Sequence, residues 1–227
     1  MSIEETEQEA PWVSPDVKVH ESVVLGSGSR VGHGCYLSEN VVIGPEVTIT
    51  HSHLYNATVE QGTIVDGSVL WGGVTVGIEA TIRNSSVDSN ASIGDYVTLD
   101  GAEVGRCSVI GSRLVLPYGA HLPPGSDIRC DSDVAVSPPV GTGRRMTLAR
   151  VHRPVKGLYS SEGTRWAVQA GCVLFEGSTP QEVCDKVRWN IDRVGGPDEW
   201  AWEGSELDTY RAEVHRELDN MLQKVEN

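Results

Sequence analysis

Large aliphatic residues recur every six positions through the first half of this chain. They run Val13, Val19, Leu25, Val31, Leu37, Ile43 and Ile49. The spacing then shortens locally, through Leu54, Val59, Val65, Leu70, Val76, Ile82 and Val87. It resumes as Ile93, Leu99, Val104, Ile110, Leu116, Leu122, Ile128 and Val134. A period of six matches neither the helical 3.6 nor the strand period of 2. It fits a short strand and a tight turn, repeated so that one aliphatic per unit points inward. Gly often follows that aliphatic (Gly26, Gly32, Gly44, Gly94, Gly105, Gly111), where the turn needs unusual backbone angles. Four positions after the aliphatic come small or β-branched residues such as Val17, Val23, Ser29, Cys35, Val41 and Val47, suited to fill space beside the next aliphatic.

The segments IGPEVTI and IGDYVTL resemble the hexapeptide-repeat family, and the resemblance runs from about Val13 to Val134. It implies an all-β left-handed parallel β-helix of about seven coils, a triangular prism with three hexads per turn, assembled as a homotrimer. Left-handed winding is an exception to the right-handed crossover rule. The rungs ITHSHLYNATV and TIRNSSVDSNASIG, each with a residue dropped after a polar turn, are similar to the β-helical tails of sugar nucleotidyltransferases.

Four segments are expected. Residues 1–12 are an acidic N-terminal segment and 13–136 the β-helix. Residues 137–164 form a Pro/Gly linker and basic segment, and 165–227 a small C-terminal α+β module of a β-hairpin and two helices. In that module RWAVQAGCVLF (Arg165 to Phe175) reads as strand, expected to pair with Gly157–Tyr159 across a turn at SSEG. Thr179 reads as a helix N-cap, with Pro180 first inside and Glu182 completing a capping box. Val183, Val187, Ile191 and Val194 form the apolar stripe, and Gly195-Gly196-Pro197 ends the helix. A second helix runs from about Ser205 to Val225, with Leu207, Tyr210, Val214, Leu218, Met221 and Val225 on one face.

The chain carries a net charge of -14, so a nucleic acid polymer is not an expected partner. No apolar stretch approaches the roughly 20 residues of a membrane span, and the acidic start is unlike a signal peptide. Five scattered cysteines without a CxxC pair suggest neither a disulfide framework nor a zinc ribbon, and point to a cytoplasmic setting.

Two readings of function follow. The first starts from residues 141–165, where Arg144, Arg145, Arg150, Arg153, Lys156 and Arg165 face only Glu162, a local charge of +5 in an otherwise acidic chain. Arg144, Arg145, Arg150, Arg153 and His152 are candidate ligands for a nucleotide-like or phosphorylated small molecule, since guanidinium groups bind phosphate bidentately. On this reading the trimer captures an anion between subunits without chemistry, needs no cofactor, and could act as a phage-encoded sponge. The second is implied by the family resemblance: an acyltransferase using a coenzyme A thioester, with a histidine as general base. His51 is the positional candidate, with His33 beside it. The two are 18 residues apart and are expected to stack on one corner of the prism, with Cys35 and His53 in the next column. LVLPYGAHLPPGSDI is similar to the terminal coils along which pantetheine lies in that family. No metal site is expected, because the three-histidine set with an HxxxxH pair of the family's carbonic anhydrases is missing. A third possibility is a structural scaffold trimer, with Trp200 and Trp202 as partner anchors.

Overall fold

The computed structural model describes residues 9–139, 145–152, 164–170, 173–194 and 205–226. The six-residue period becomes three parallel sheets wound into a β-helix of about seven turns. The first face stacks six strands, from Trp12–Val13 to Thr98–Asp100. The second stacks seven, from Lys18–Val19 to His121–Leu122, and the third seven, from Val24–Leu25 to Asp127–Ile128. Each strand hydrogen-bonds to the strands one coil before and one coil after it.

Register places the repeating aliphatics in three inward columns. Val13, Val31, Ile49, Val65, Ile82 and Leu99 line the first face. Leu37, Leu54, Leu70, Val87, Val104 and Leu122 line the second. Ile43, Val59, Val76, Ile93, Ile110 and Ile128 line the third. Nearly all are fully buried in one continuous core. At about 1.5–3 kcal/mol for each buried aliphatic, this stack is the main driving force for the fold. Cys35 lies in this core, and burial raises its thiol pKa.

The corners explain the shortened rungs. Between the first and second faces, the four coils from Ile49 to Val104 each lose one turn residue, and in three of them a serine (Ser52, Ser68, Ser85) takes the small inward position. Each serine then serves the next coil. The Ser52 hydroxyl accepts from Ser68 N–H (3.0 Å), Ser68 from Ser85 N–H (3.1 Å), and Ser85 from Ala102 N–H (3.0 Å). These hydroxyls donate in turn to the carbonyls of Thr50, Asp66 and Arg83. Thr63 does the same for Ala80 at the corner leading into the first face (3.1 Å). Buried backbone groups must find partners, and the side chains supply them where the shortened turn cannot.

At its C-terminal end the β-helix is closed by a four-stranded antiparallel sheet in the order Val134–Val136, Met146–His152, Thr164–Ala170, Val173–Gly177. Part of the expected linker is therefore a central strand. The segment read as one strand from Arg165 to Phe175 is two strands, and its preceding partner is Met146–His152. Gly157–Tyr159 lies outside the described residues. Alternation along Met146–His152 sets its role. Thr147 and Ala149 lie against the last coil, with the Thr147 hydroxyl accepting from His121 N–H (3.0 Å). Met146 and Leu148 turn to the helices.

Helix α1 (Pro180–Val194) starts at the expected N-cap, but the Glu182 carboxylate engages the residue before the cap instead of closing a capping box. The Thr179 hydroxyl accepts from Glu182 N–H, and the Glu182 carboxylate from Ser178 N–H. Its Val183, Val187 and Ile191 pack with Tyr210, Val214, Leu218 and Met221 of helix α2 (Ser205–Glu226) to form a second core. No helix among the described residues is long and apolar enough to cross a membrane.

Candidate functional site

The corner between the first and second faces gathers two histidine–carboxylate pairs in neighbouring coils. His33 Nδ1 lies 2.8 Å from Asp16 Oδ1, and the Ser14 hydroxyl bonds both Asp16 and the His33 ring. His51 Nδ1 lies 3.4 Å from Asp66 Oδ1, which also accepts from the Thr50 hydroxyl at 2.6 Å. The histidine side chains are 74% and 70% exposed. Each carboxylate engages Nδ1, which leaves Nε2 for other partners. A carboxylate on Nδ1 fixes ring orientation and favours the tautomer whose Nε2 can accept a proton.

Both carboxylates are held ionised. The Ser14 hydroxyl is the largest cause for Asp16, whose pKa falls to about 2, with Gly34 N–H and His33 adding to it. Asp66 is lowered mainly by the Thr50 hydroxyl, with His51 and Arg83 assisting.

The predicted stacking of His33 on His51 needs correction. The coil loses its residue at this corner, so His51 lies over Gly34, and a hydrogen bond from His51 N–H to the His33 carbonyl (2.9 Å) joins the two turns. The same shift pairs His53 with Tyr36 rather than with Cys35. His53 stands edge-on to the Tyr36 ring at 6.1 Å, beginning an aromatic row that continues through Tyr55 and Trp71. His51 also adopts a left-handed backbone (φ +48°), at a corner where the adjacent coils carry Gly34 and Gly67. No local sequence motif marks Asp16 and Asp66 as partners of the histidines. They sit 17 residues before His33 and 15 after His51, about one coil away, so the coil length was the signal that could have found them.

Of the basic segment, the side chains of Arg145 and Arg150 are among the described residues, and they make separate contacts. Arg144 and Arg153 lie outside the described residues, and His152 ends the central strand of the capping sheet. Arg150 bonds the buried Asp133 at 3.1 Å. Burial alone would raise the Asp133 pKa, but N–H groups of Arg129 and Cys130 and the Arg150 guanidinium hold it low. Arg145 lies over the Tyr118 ring (5.8 Å) and reaches the Ser137 carbonyl. An odd-numbered and an even-numbered residue next to and in one strand leave by opposite faces, so Arg145 and Arg150 serve separate contacts. Among the described residues, no group of three or more His, Cys, Asp or Glu is placed to hold a metal ion.

Residues 10–51 match the family described as bacterial transferase hexapeptide (six repeats), and this stretch contains Asp16, His33 and His51. The matched stretch forms the first coils of the parallel β-helix, which continues the same repeat to Ile128. It is 30% identical over 112 residues to the bifunctional protein GlmU of Cutibacterium acnes, covering 49% of this chain and 25% of that protein. It is 26% identical over 149 residues to that of Enterococcus faecalis, covering 62% and 32%. The chain thus spans about a quarter of the length of the curated relatives it matches. Among solved structures, the acetyltransferase domain of PglB from Neisseria gonorrhoeae in complex with acetyl coenzyme A is 21% identical, with 52% and 54% of the two chains covered and a TM-score of 0.39.

Proposed function

We propose that this protein transfers an acyl group from an acyl-coenzyme A to a hydroxyl or amine acceptor, with His51 as general base. This is the second of the two readings drawn from the sequence, preferred over capture of an anion. The observation that carries it is the oriented pair His51–Asp66, repeated in the adjacent coil as His33–Asp16. The transferase description of the matching repeat family and the likeness to GlmU proteins support it.

The residues act as follows. Asp66 holds Nδ1 of His51 so that Nε2 takes the proton as the acceptor attacks the thioester carbonyl. The C–S bond breaks, and the imidazolium returns its proton to the departing thiolate, giving the acylated acceptor and free coenzyme A. Catalysis of this kind contributes about 10²–10⁴-fold. Arg145 and Tyr118, at the same corner toward the end of the prism, offer a cation and a ring to the phosphates and adenine of the acyl donor. A homotrimer would place a neighbouring prism opposite the exposed histidines and complete the cleft.

The test is release of coenzyme A thiol from acetyl-CoA in the presence of a small-molecule extract, followed by mass analysis of the acetylated product. Native mass spectrometry reads the trimer in the same sample. The expected result is acceptor-dependent thiol release that falls at least a hundredfold in His51→Ala. Release unaffected by both His51→Ala and His33→Ala would overturn the assignment.

A further inference from the structure

A second site lies away from the histidine corner, on the second face toward the C-terminal end of the prism. The residue following each inward aliphatic of that face stacks in a column, Tyr55, Trp71, Asp88, Gly105. Gly105 carries no side chain because a Cβ there would lie 2.5 Å from Pro124 N, against the backbone of the next coil. Where its neighbours in the column project outward, Gly105 leaves a hollow. The result is a groove of about 580 Å³, with Trp71 at one end, Pro124 at the other, and Asp88, Glu103 and His121 between. Three coil steps at about 4.8 Å each make it about 14 Å long.

The lining has a definite chemistry. Trp71 is 44% exposed, yet its plane is fixed, because Tyr55 stacks parallel to it (5.1 Å, 11°) and Tyr36 continues the row at 5.7 Å. A pre-set indole face loses little conformational freedom on binding. Asp88 stands in the coil next to Trp71, and Glu103 one coil further on. Among the described residues of the lining the one basic group is His121, whose Nε2 lies 3.2 Å from Glu103. An aromatic face beside carboxylates attracts an organic cation, through the ring quadrupole and through charge. The net charge of -14 draws cations to the surface generally. A phosphorylated ligand would meet charge of its own sign here and be repelled, and the lining does not supply the donor set of a metal site.

We propose that this groove binds a protonated organic amine, its ammonium between the carboxylates of Asp88 and Glu103 and its flat apolar body on Trp71. The inference does not depend on acyl transfer, and its test uses no acyl donor. The full chain is titrated at low ionic strength with 2-phenylethylamine and, separately, with neutral 2-phenylethanol, followed by calorimetry. Asp88→Asn keeps an acceptor for Ser89 N–H, now at 2.6 Å from the carboxylate, and Glu103 is exposed, so the variants should fold. The amine should bind at least tenfold more tightly than the alcohol. Asp88→Asn with Glu103→Gln should remove that preference, and Trp71→Leu should weaken both ligands. Equal affinity for amine and alcohol, or amine binding untouched by the double variant, would overturn the proposal. His51→Ala should leave amine binding unchanged, which keeps failure here distinct from failure of the transferase assignment.

Discussion

Removing one hydroxyl from the serine ladder isolates what holds consecutive coils together. Ser68 is buried. Its Oγ accepts from Ser85 N–H at 3.1 Å and donates to the Asp66 carbonyl at 2.8 Å. In Ser68→Ala the Asp66 carbonyl keeps the Asn84 N–H (2.9 Å), whereas the Ser85 N–H loses its partner in a packed corner. Leaving one buried donor unsatisfied costs about 1–3 kcal/mol. A control lies in the same fold. Ser22 Oγ accepts from Asn40 N–H at 2.9 Å, but that corner is exposed and water can replace the hydroxyl. Ser22→Ala should therefore stay within about 0.5 kcal/mol of the parent. Urea unfolding followed by far-UV circular dichroism measures both, with thermal midpoints falling about 2–4 °C per kcal/mol. Equal losses for Ser68→Ala and Ser22→Ala would refute the claim that burial makes the ladder matter. So would a Ser68→Ala protein as stable as its parent.

His51→Gly relieves the left-handed backbone at φ +48°, so its stability should lie within about 1 kcal/mol of the parent while thiol release is lost; a collapse in stability would make His51 structural. Asp16 has a folded pKa near 2 against an unfolded value near 3.8. Its contribution is therefore present above about pH 4 and fades as pH falls toward 2, and Asp16→Asn should flatten the acid-unfolding curve across that window. Ile82→Ala, in the middle of the first-face column, should cost about 2–5 kcal/mol by calorimetry. Gly105→Ala, whose Cβ meets Pro124 backbone, should destabilise by about 1–3 kcal/mol; an unaltered melting curve would mean that the last coils shift freely.

The sequence alone determined the β-helix, because its signal is additive. Every coil repeats the same demand for one buried aliphatic per face, and a column such as Ile43, Val59, Val76 and Ile93 is legible without knowing anything distant. The capped start of α1 and the stripes of both helices were local in the same way. What the sequence left open depends on register between coils. A single residue dropped at His51 moves it from the His33 position to that of Gly34, and a spacing of 18 cannot reveal where within the coil the loss occurs. Asp16 and Asp66 are far along the chain from the rings they hold, and only the winding brings them within hydrogen-bonding reach. The arginines show the converse. Arg145 and Arg150 are close in sequence, but the Met146–His152 strand alternates its faces, and Arg150 meets the buried Asp133 of the 3-10 turn that leads into the capping sheet. Tertiary structure decided the site because charge and hydrogen bonding act over a few ångströms of space, whatever the distance along the chain.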